Sequence, residues 1–377
     1  MAESIATQLY QINKWIYRNF SKKEPINKKE PVAWITSFVP VELLDALSIG
    51  YVYPESYAAI ISASGKAAQC LDRAKADNLS LDCCSYSTCF NGCLSLGQGP
   101  RGLPSKPDIL IASNNQCNTL PNWWNLLAQK LDVPLIVLDY PGEGNNGMYT
   151  AEYVKKQHES LVAELERLSG NRLDEKKLSE IIDVSKDNVS LWQCILELFP
   201  KHDLSPRILF DYVSPLILAR SRPETGNFYR MLAEELASYP RRGNENRIFW
   251  VGYPFWYDKQ RCLTVEGMQI VGSNYATWWN LDYRGNNVWD ILYHAYNFTL
   301  LNLTGKTRSK LINDGLAYTK ADGVIINRNK SCKRDFFSLN EFSCTLPCAV
   351  IESDMIDGSF IDLQTANDRM NSLMAAL

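Results

Sequence analysis

Residues 108–139 read DILIASNNQCNTLPNWWNLLAQKLDVPLIVLD. A short apolar run, Ile109 to Ser113, passes into a polar loop, Asn114-Asn115-Gln116-Cys117-Asn118, then into a helical segment and a second apolar run, Val133 to Asp139. Strand, loop, helix and strand in that order form the unit of a parallel α/β sheet. In such a sheet the loop after a strand's carboxyl end lines the ligand crevice, and the following helix turns unpaired backbone N–H groups towards it. A thiol placed there meets positive potential, which favours the thiolate.

The pattern returns near the C-terminus. Asp322 to Asp354 reads strand (Val324 to Asn327), polar loop (Arg328-Asn329-Lys330-Ser331-Cys332), short helix, and strand (Cys348 to Glu352). In both copies a proline opens the last strand and an acid stands five residues later: Asp139 after Pro134, and Glu352 after Pro347. The fold class expected is therefore α/β, with two doubly wound, Rossmann-like domains on parallel sheets related by internal duplication, plus a helical segment. Packed crevice to crevice, the halves would bring Cys117 and Cys332 towards one central site.

Composition narrows the function. The 377 residues, 46% hydrophobic and 21% charged, suffice for a large core in more than one domain. A net charge of −3 from 39 basic and 42 acidic residues, well mixed, offers no phosphate-binding stripe, so nucleic acid is not an expected partner. No apolar run reaches the ~18 residues that span a bilayer, and the basic, interrupted stretch from Ile12 to Lys29 lacks a signal-peptide apolar region. No membrane association and a cytoplasmic location are expected. Eleven cysteines, an odd count in a reducing compartment, point to metal, cluster or redox duty rather than disulfides.

Along the chain, residues 1–31 form an N-terminal arm with a helix from Ile5 to Phe20. The first α/β domain spans 32–150, with strands at Val32 to Ser37 and Tyr51 to Tyr53. A helical connecting segment covers 151–245, and the second α/β domain, 246–377, opens with Ile248-Phe249-Trp250-Val251-Gly252, which mirrors the Trp34 strand. Ser37 and Glu55 both follow strand ends. From position alone, Ser37 reads as a helix N-cap and Glu55 as a solvated loop acid.

Cys83-Cys84-Ser85-Tyr86-Ser87-Thr88-Cys89, with Cys70 and Cys93 nearby, reads as a turn-rich region extending to Pro107. Zinc is the competing account, but paired C-x₂₋₄-C knuckles or added histidines are not cleanly present. The three histidines read as structural or surface residues. Ser62-Ala63-Ser64-Gly65-Lys66 ends like a phosphate loop but has Ile60 where the first glycine should be, and no G-x-G-x-x-G follows a strand.

Five motifs, in order and with matching spacing, now bear on function: Ser37-Phe38-Val39-Pro40-Val41-Glu42-Leu43, Tyr53-Pro54-Glu55, Cys84-Ser85-Tyr86, Asn114-Asn115-Gln116-Cys117-Asn118 with Trp123-Trp124, and Asn329-Lys330-Ser331-Cys332-Lys333. From about Val32 to its end the chain resembles the 2-hydroxyacyl-CoA dehydratase and benzoyl-CoA reductase subunits, most closely the alpha-type dehydratase subunit. The resemblance implies a [4Fe-4S] cluster held by Cys84, Cys117 and Cys332 in the cleft between two α/β domains, with one iron open to water or substrate. It implies that Ser37 hydrogen-bonds the oxygen on that iron and that Glu55 is an acid/base residue.

The reaction it implies is the dehydration of an (R)-2-hydroxyacyl-CoA to the 2-enoyl-CoA through a ketyl radical. The implied partners are a paralogous smaller subunit, an ATP-dependent iron–sulfur activator protein and the acyl-CoA substrate. A benzoyl-CoA reductase-like activity and a non-catalytic, cluster-bearing scaffold or electron relay are the alternatives. Cys83, Cys89, Cys93, Cys344 and Cys348 are extra to the implied ligand set. The chain departs from the family at Thr88, where an arginine is usual, at Asp354-Met355-Ile356-Asp357-Gly358-Ser359, where Asp-Gln-x-Asp-Pro-Arg is usual, and by lacking a histidine before Trp278.

Overall fold

The computed structural model describes Ile12 and residues 30–100, 102–145, 149–243, 245–334 and 342–377. The first half runs β1 (Val32–Ile35), α1 (Val41–Ala46), β2 (Gly50–Val52), α2 (Pro54–Ala63), α3 (Ala67–Ala76), α4 (Ser85–Leu96), β3 (Ile109–Ser113), α5 (Thr119–Leu131) and β4 (Leu135–Leu138). Five helices follow: α6 (Thr150–Ser169), α7 (Glu175–Leu198), α8 (Arg207–Asp211), α9 (Ser214–Ala219) and α10 (Pro223–Ser238). The second half holds β5 (Asn246–Val251), β6 (Met268–Ser273), α11 (Asn274–Thr277), α12 (Val288–Asn297), α13 (Gly305–Thr319), β7 (Gly323–Asn329), β8 (Cys348–Ser353) and α14 (Leu363–Ala375). The arm's helix and the short helix expected after Cys332 fall largely outside the described residues.

The two sheets are four-stranded, parallel throughout and ordered alike, β2-β1-β3-β4 and β6-β5-β7-β8. Their inner strands are covered on both faces, which is why β1 and β3 read as unbroken apolar runs: every residue of Val-Ala-Trp-Ile and of Ile-Leu-Ile-Ala-Ser is buried. The edge strands β4 and β8 are partly exposed. The same stitches close both sheets. Asp108 accepts from the Val32 amide at 2.8 Å, and Asp322 accepts from the Arg247 amide at 2.8 Å. The carbonyls of Pro134 and Pro347 accept from Leu110 and Val324 at 2.9 and 3.0 Å. A difference between the halves is the irregular register of β5 against β6 at Ile248/Phe249.

This strand order fixes where ligands can enter. In each sheet the chain crosses to opposite sides after the two central strands, so a crevice opens at their carboxyl ends. In the first sheet these ends carry Ser37 and the Asn114–Cys117 loop; in the second they carry Gly252-Tyr253 and the Asn329–Cys332 loop. Gly252 is required there, because its φ is +107° and a Cβ would overlap the Asn327 carbonyl oxygen.

Three helices lie between Tyr53 and Pro107. Pro54 opens α2 at its first turn, a favoured place for proline, and Gly65 follows its end at φ +72°, so the phosphate-loop lookalike is a helix end. The turn-rich reading of the cysteine segment is corrected: residues 85–96 form a 12-residue helix. Its Ser, Thr, Asn and Gly have poor helix propensity, and packing overrides it. Gly92 lets α4 press on α3 so closely that a Cβ would overlap the Cys70 carbonyl. Among the described residues no helix is long and apolar enough to cross a membrane.

Candidate active site

Glu55 sits in the first turn of α2, and only 8% of it is exposed. Both bland readings are thereby overturned. Glu55 is no solvated loop acid, and Ser37 caps no helix: Pro40 holds the cap position of α1, and no side chain bonds there. Instead the Ser37 amide and hydroxyl both donate to Glu55 Oε2, at 2.9 and 3.0 Å, while Gln116 Nε2 donates to Oε1 at 3.3 Å. Burial pushes the Glu55 carboxyl up to about 7, and these three hydrogen bonds resist the rise. The acid is thus poised to hold or release a proton near neutrality. Gln116 Oε1 is buried without a partner, an acceptor awaiting a donor.

The three candidate thiols stand at neighbouring loop ends. Cys84 immediately precedes α4, and the Tyr86 and Ser87 amides reach its sulfur; Cys117 receives the Thr119 and Leu120 amides ahead of α5. These N–H groups act in the direction expected, yet burial is the larger effect and pushes both thiols up. The expectation that position alone favours the thiolate is therefore corrected. Each of Cys84 and Cys117 feels the Glu55 charge, and Cys84 also feels that of Cys117. The second half closes in through Ser331 Oγ, 2.9 Å from Ser85 Oγ, and Cys332 Sγ lies 3.8 Å from the Tyr253 hydroxyl. Cys84 directly precedes one member of that bonded serine pair and Cys332 directly follows the other, so the contact joining the two halves has a thiol on each side.

A cavity of about 570 Å³ opens against Ser37, Glu55 and Gln116. Its wall is aromatic. Phe38 stacks on Trp279 at 4.8 Å, and Tyr275 and Trp278 continue the surface at 5.1 Å from one another. Across the halves Trp256 Nε1 donates to the Tyr86 hydroxyl at 2.5 Å. Behind the Ser37 loop lies a buried ion pair from the helical segment. Arg220, 1% exposed, donates from Nη2 to the Val39 carbonyl at 2.9 Å and to that of Ser37 at 3.5 Å. Its Nε stands 3.7 Å from Glu42, whose carboxylate also takes the hydroxyls of Tyr283 and Tyr296.

Gln116, the aromatic wall and the Arg220–Glu42 pair escaped the sequence reading. Gln116 was signalled only by its place beside Cys117; the rest are scattered from residue 38 to 296 and meet only in the fold. Of the extra cysteines, Cys89 and Cys93 are buried near Cys70, with Cys93 Sγ donating to the Gln98 carbonyl at 2.9 Å, while Cys83 and Cys348 are exposed and Cys344 is half-buried. The histidines are structural where buried: His158 Nε2 meets the Tyr140 hydroxyl at 2.8 Å. Where the family's arginine would stand, Thr88 is buried and donates to the Cys84 and Ser85 carbonyls. Asp354 is buried too, closing the turn after β8 by accepting from the Ile356 and Asp357 amides.

Known proteins resemble most of this chain. The family described as 2-hydroxyglutaryl-CoA dehydratase, D-component, matches residues 36–370. The chain is 31% identical to the (R)-2-hydroxyisocaproyl-CoA dehydratase alpha subunit of Clostridioides difficile, over 80% of this chain and 78% of that one. It is 27% identical to the (R)-phenyllactyl-CoA dehydratase alpha subunit of Clostridium sporogenes, over 82% and 79%. It is also 25% identical to a benzoyl-CoA reductase subunit of Thauera aromatica, over 80% and 78%.

Proposed function

Since the chain belongs to the 2-hydroxyglutaryl-CoA dehydratase D-component family, we propose that it is the alpha-type, iron–sulfur subunit of a radical (R)-2-hydroxyacyl-CoA dehydratase. The observation that carries this reading is the Ser37–Glu55–Gln116 constellation, buried against an aromatic cavity, with Cys84 and Cys117 close enough to feel the Glu55 charge and Cys332 against the cavity-lining Tyr253. The water eliminated comes from the 2-hydroxyl and a β-hydrogen of the thioester. One electron, supplied by an ATP-driven activator, enters the thioester carbonyl to give a ketyl radical and is handed back when the 2-enoyl-CoA forms.

The thiols fit a [4Fe-4S] cluster. Cys84 and Cys117 are pushed up by burial, and among the described residues no cationic side chain stands among the main groups acting on them, so a cationic centre is the partner that would make them thiolates. Among the described residues no three His, Cys, Asp or Glu side chains converge as a single metal ion requires. A four-iron cluster takes each thiolate on a different iron, so its ligands stand further apart. Cys84, Cys117 and Cys332 would hold it, and it would supply one-electron chemistry and a Lewis-acidic iron.

The chain's own groups do the rest. Gln116 Oε1 accepts from the substrate hydroxyl and orients it. Ser37 fixes the Glu55 carboxyl through two donated bonds. Glu55 gives its proton to the departing hydroxyl and recovers one from the β-carbon, which leaves it unchanged after each turnover. The aromatic wall excludes water. The test supplies anaerobic protein, the paralogous subunit, activator, ATP and reductant with 2-hydroxyacyl-CoA esters and follows enoyl-CoA. Product is expected with at least one ester; its absence with all, from a cluster-loaded complex, would favour a scaffold role.

A further inference from the structure

We propose that the acyl side chain accepted at this site is neutral and bulky, aromatic or branched aliphatic, and that an acyl chain ending in a carboxylate is disfavoured. This deepens the dehydratase reading and rests on it. Immediately beside Ser37, Phe38 and Trp279 present a stacked pair, extended by Tyr275 and Trp278, with Ile217 and Leu218 also lining the cavity. A methyl side chain would leave most of that surface uncovered in a space of about 570 Å³, whereas a ring or branched chain would displace water from it.

Charge disfavours the alternative. Among the cavity-lining residues the cations are Arg207 and Arg261, and Asp211 already holds both, at 2.7 and 2.8 Å. Arg261 is further tied by its Nη1 to the carbonyls of Trp256 and Asp258. A substrate carboxylate would meet these two guanidiniums where Asp211 already bridges them, and away from them it would lie unpaired on an aromatic wall, which is costly.

The test is a calorimetric titration of the anaerobically purified full chain with CoA esters of 2-hydroxy acids bearing benzyl, isobutyl, methyl and carboxyethyl side chains, and with CoA alone. The benzyl and isobutyl esters are expected to bind ~10- to 100-fold more tightly than the methyl ester, and the carboxyethyl ester no more tightly than the methyl one. Phe38→Leu, and separately the milder Trp279→Phe, should narrow the benzyl-over-methyl ratio and leave CoA binding unchanged. Equal binding of all four esters, or a carboxyethyl ester as tight as the benzyl one, would overturn the inference and leave the dehydratase reading standing. Binding of neither CoA nor any ester would overturn that reading, and the inference with it.

Discussion

Glu55 couples stability to chemistry through one proton. Its carboxyl titrates at about 7 in the fold against an ordinary value of 4.5, so between those two pH values the folded chain holds a proton that the unfolded chain has lost. The folded state then binds the extra proton, and stability falls as pH rises through that window, by about 3 kcal/mol in all. In urea melts at pH 5 and pH 8, Glu55→Gln should flatten this slope; an unchanged slope would show that Glu55 is not the group responsible. The same variant should lower turnover ~10²- to 10⁴-fold while iron content persists, since proton transfer contributes that much. Serine in place of Cys84, Cys117 or Cys332 should each lower bound iron, measured by metal analysis after anaerobic purification. Replacing Cys194 or Cys262 should not. Cys117 and Cys332 could be singled out in the sequence because strand ends carry ligands in this architecture, whereas Ser37, Glu55 and Cys84 stood out only through the family resemblance. The burial of Glu55 could not, since it depends on Gln116 and on aromatic rings some 200 positions away along the chain.

At the scale of elements, the helical segment matters through Arg220. This residue follows α9 and ties the Ser37 loop to α12, where Tyr296 lies, by bonds that no local pattern announces. Arg220→Met leaves Glu42 buried without its cation and should cost about 3–5 kcal/mol, read as a drop in Tm. Adding Glu42→Gln should recover part of that loss, which a purely volumetric effect would not. The strands were legible because double-sided burial demands uninterrupted apolar residues, and the Pro134/Pro347 correspondence proved to be a paired backbone stitch, joined by one at Asp108 and Asp322 that only the structure shows. Helix α4 was not legible, because its Ser, Thr, Cys and Gly serve close packing on α3 rather than helix propensity. Gly92→Ala should therefore destabilise by about 1–3 kcal/mol in a urea melt, although alanine is the better helix former.

For the whole molecule, the duplication explains why one chain can build a site from two crevices: β1 and β3 present Ser37 and Cys117, β5 and β7 present Tyr253 and Cys332, and the Ser85–Ser331 contact joins them. The relatives named as alpha subunits support a partnered enzyme, and co-expression with a paralogous smaller subunit should give a heterodimer in gel filtration. The central claim is elimination of water by an electron that is recycled. The measurement that tests it most directly is the ratio of reductant consumed to product formed in the activated complex, with ATP and a 2-hydroxyacyl-CoA bearing a bulky apolar side chain. The account predicts many enoyl-CoA molecules per electron supplied. Two electrons consumed for every product molecule would contradict it and identify a reductase.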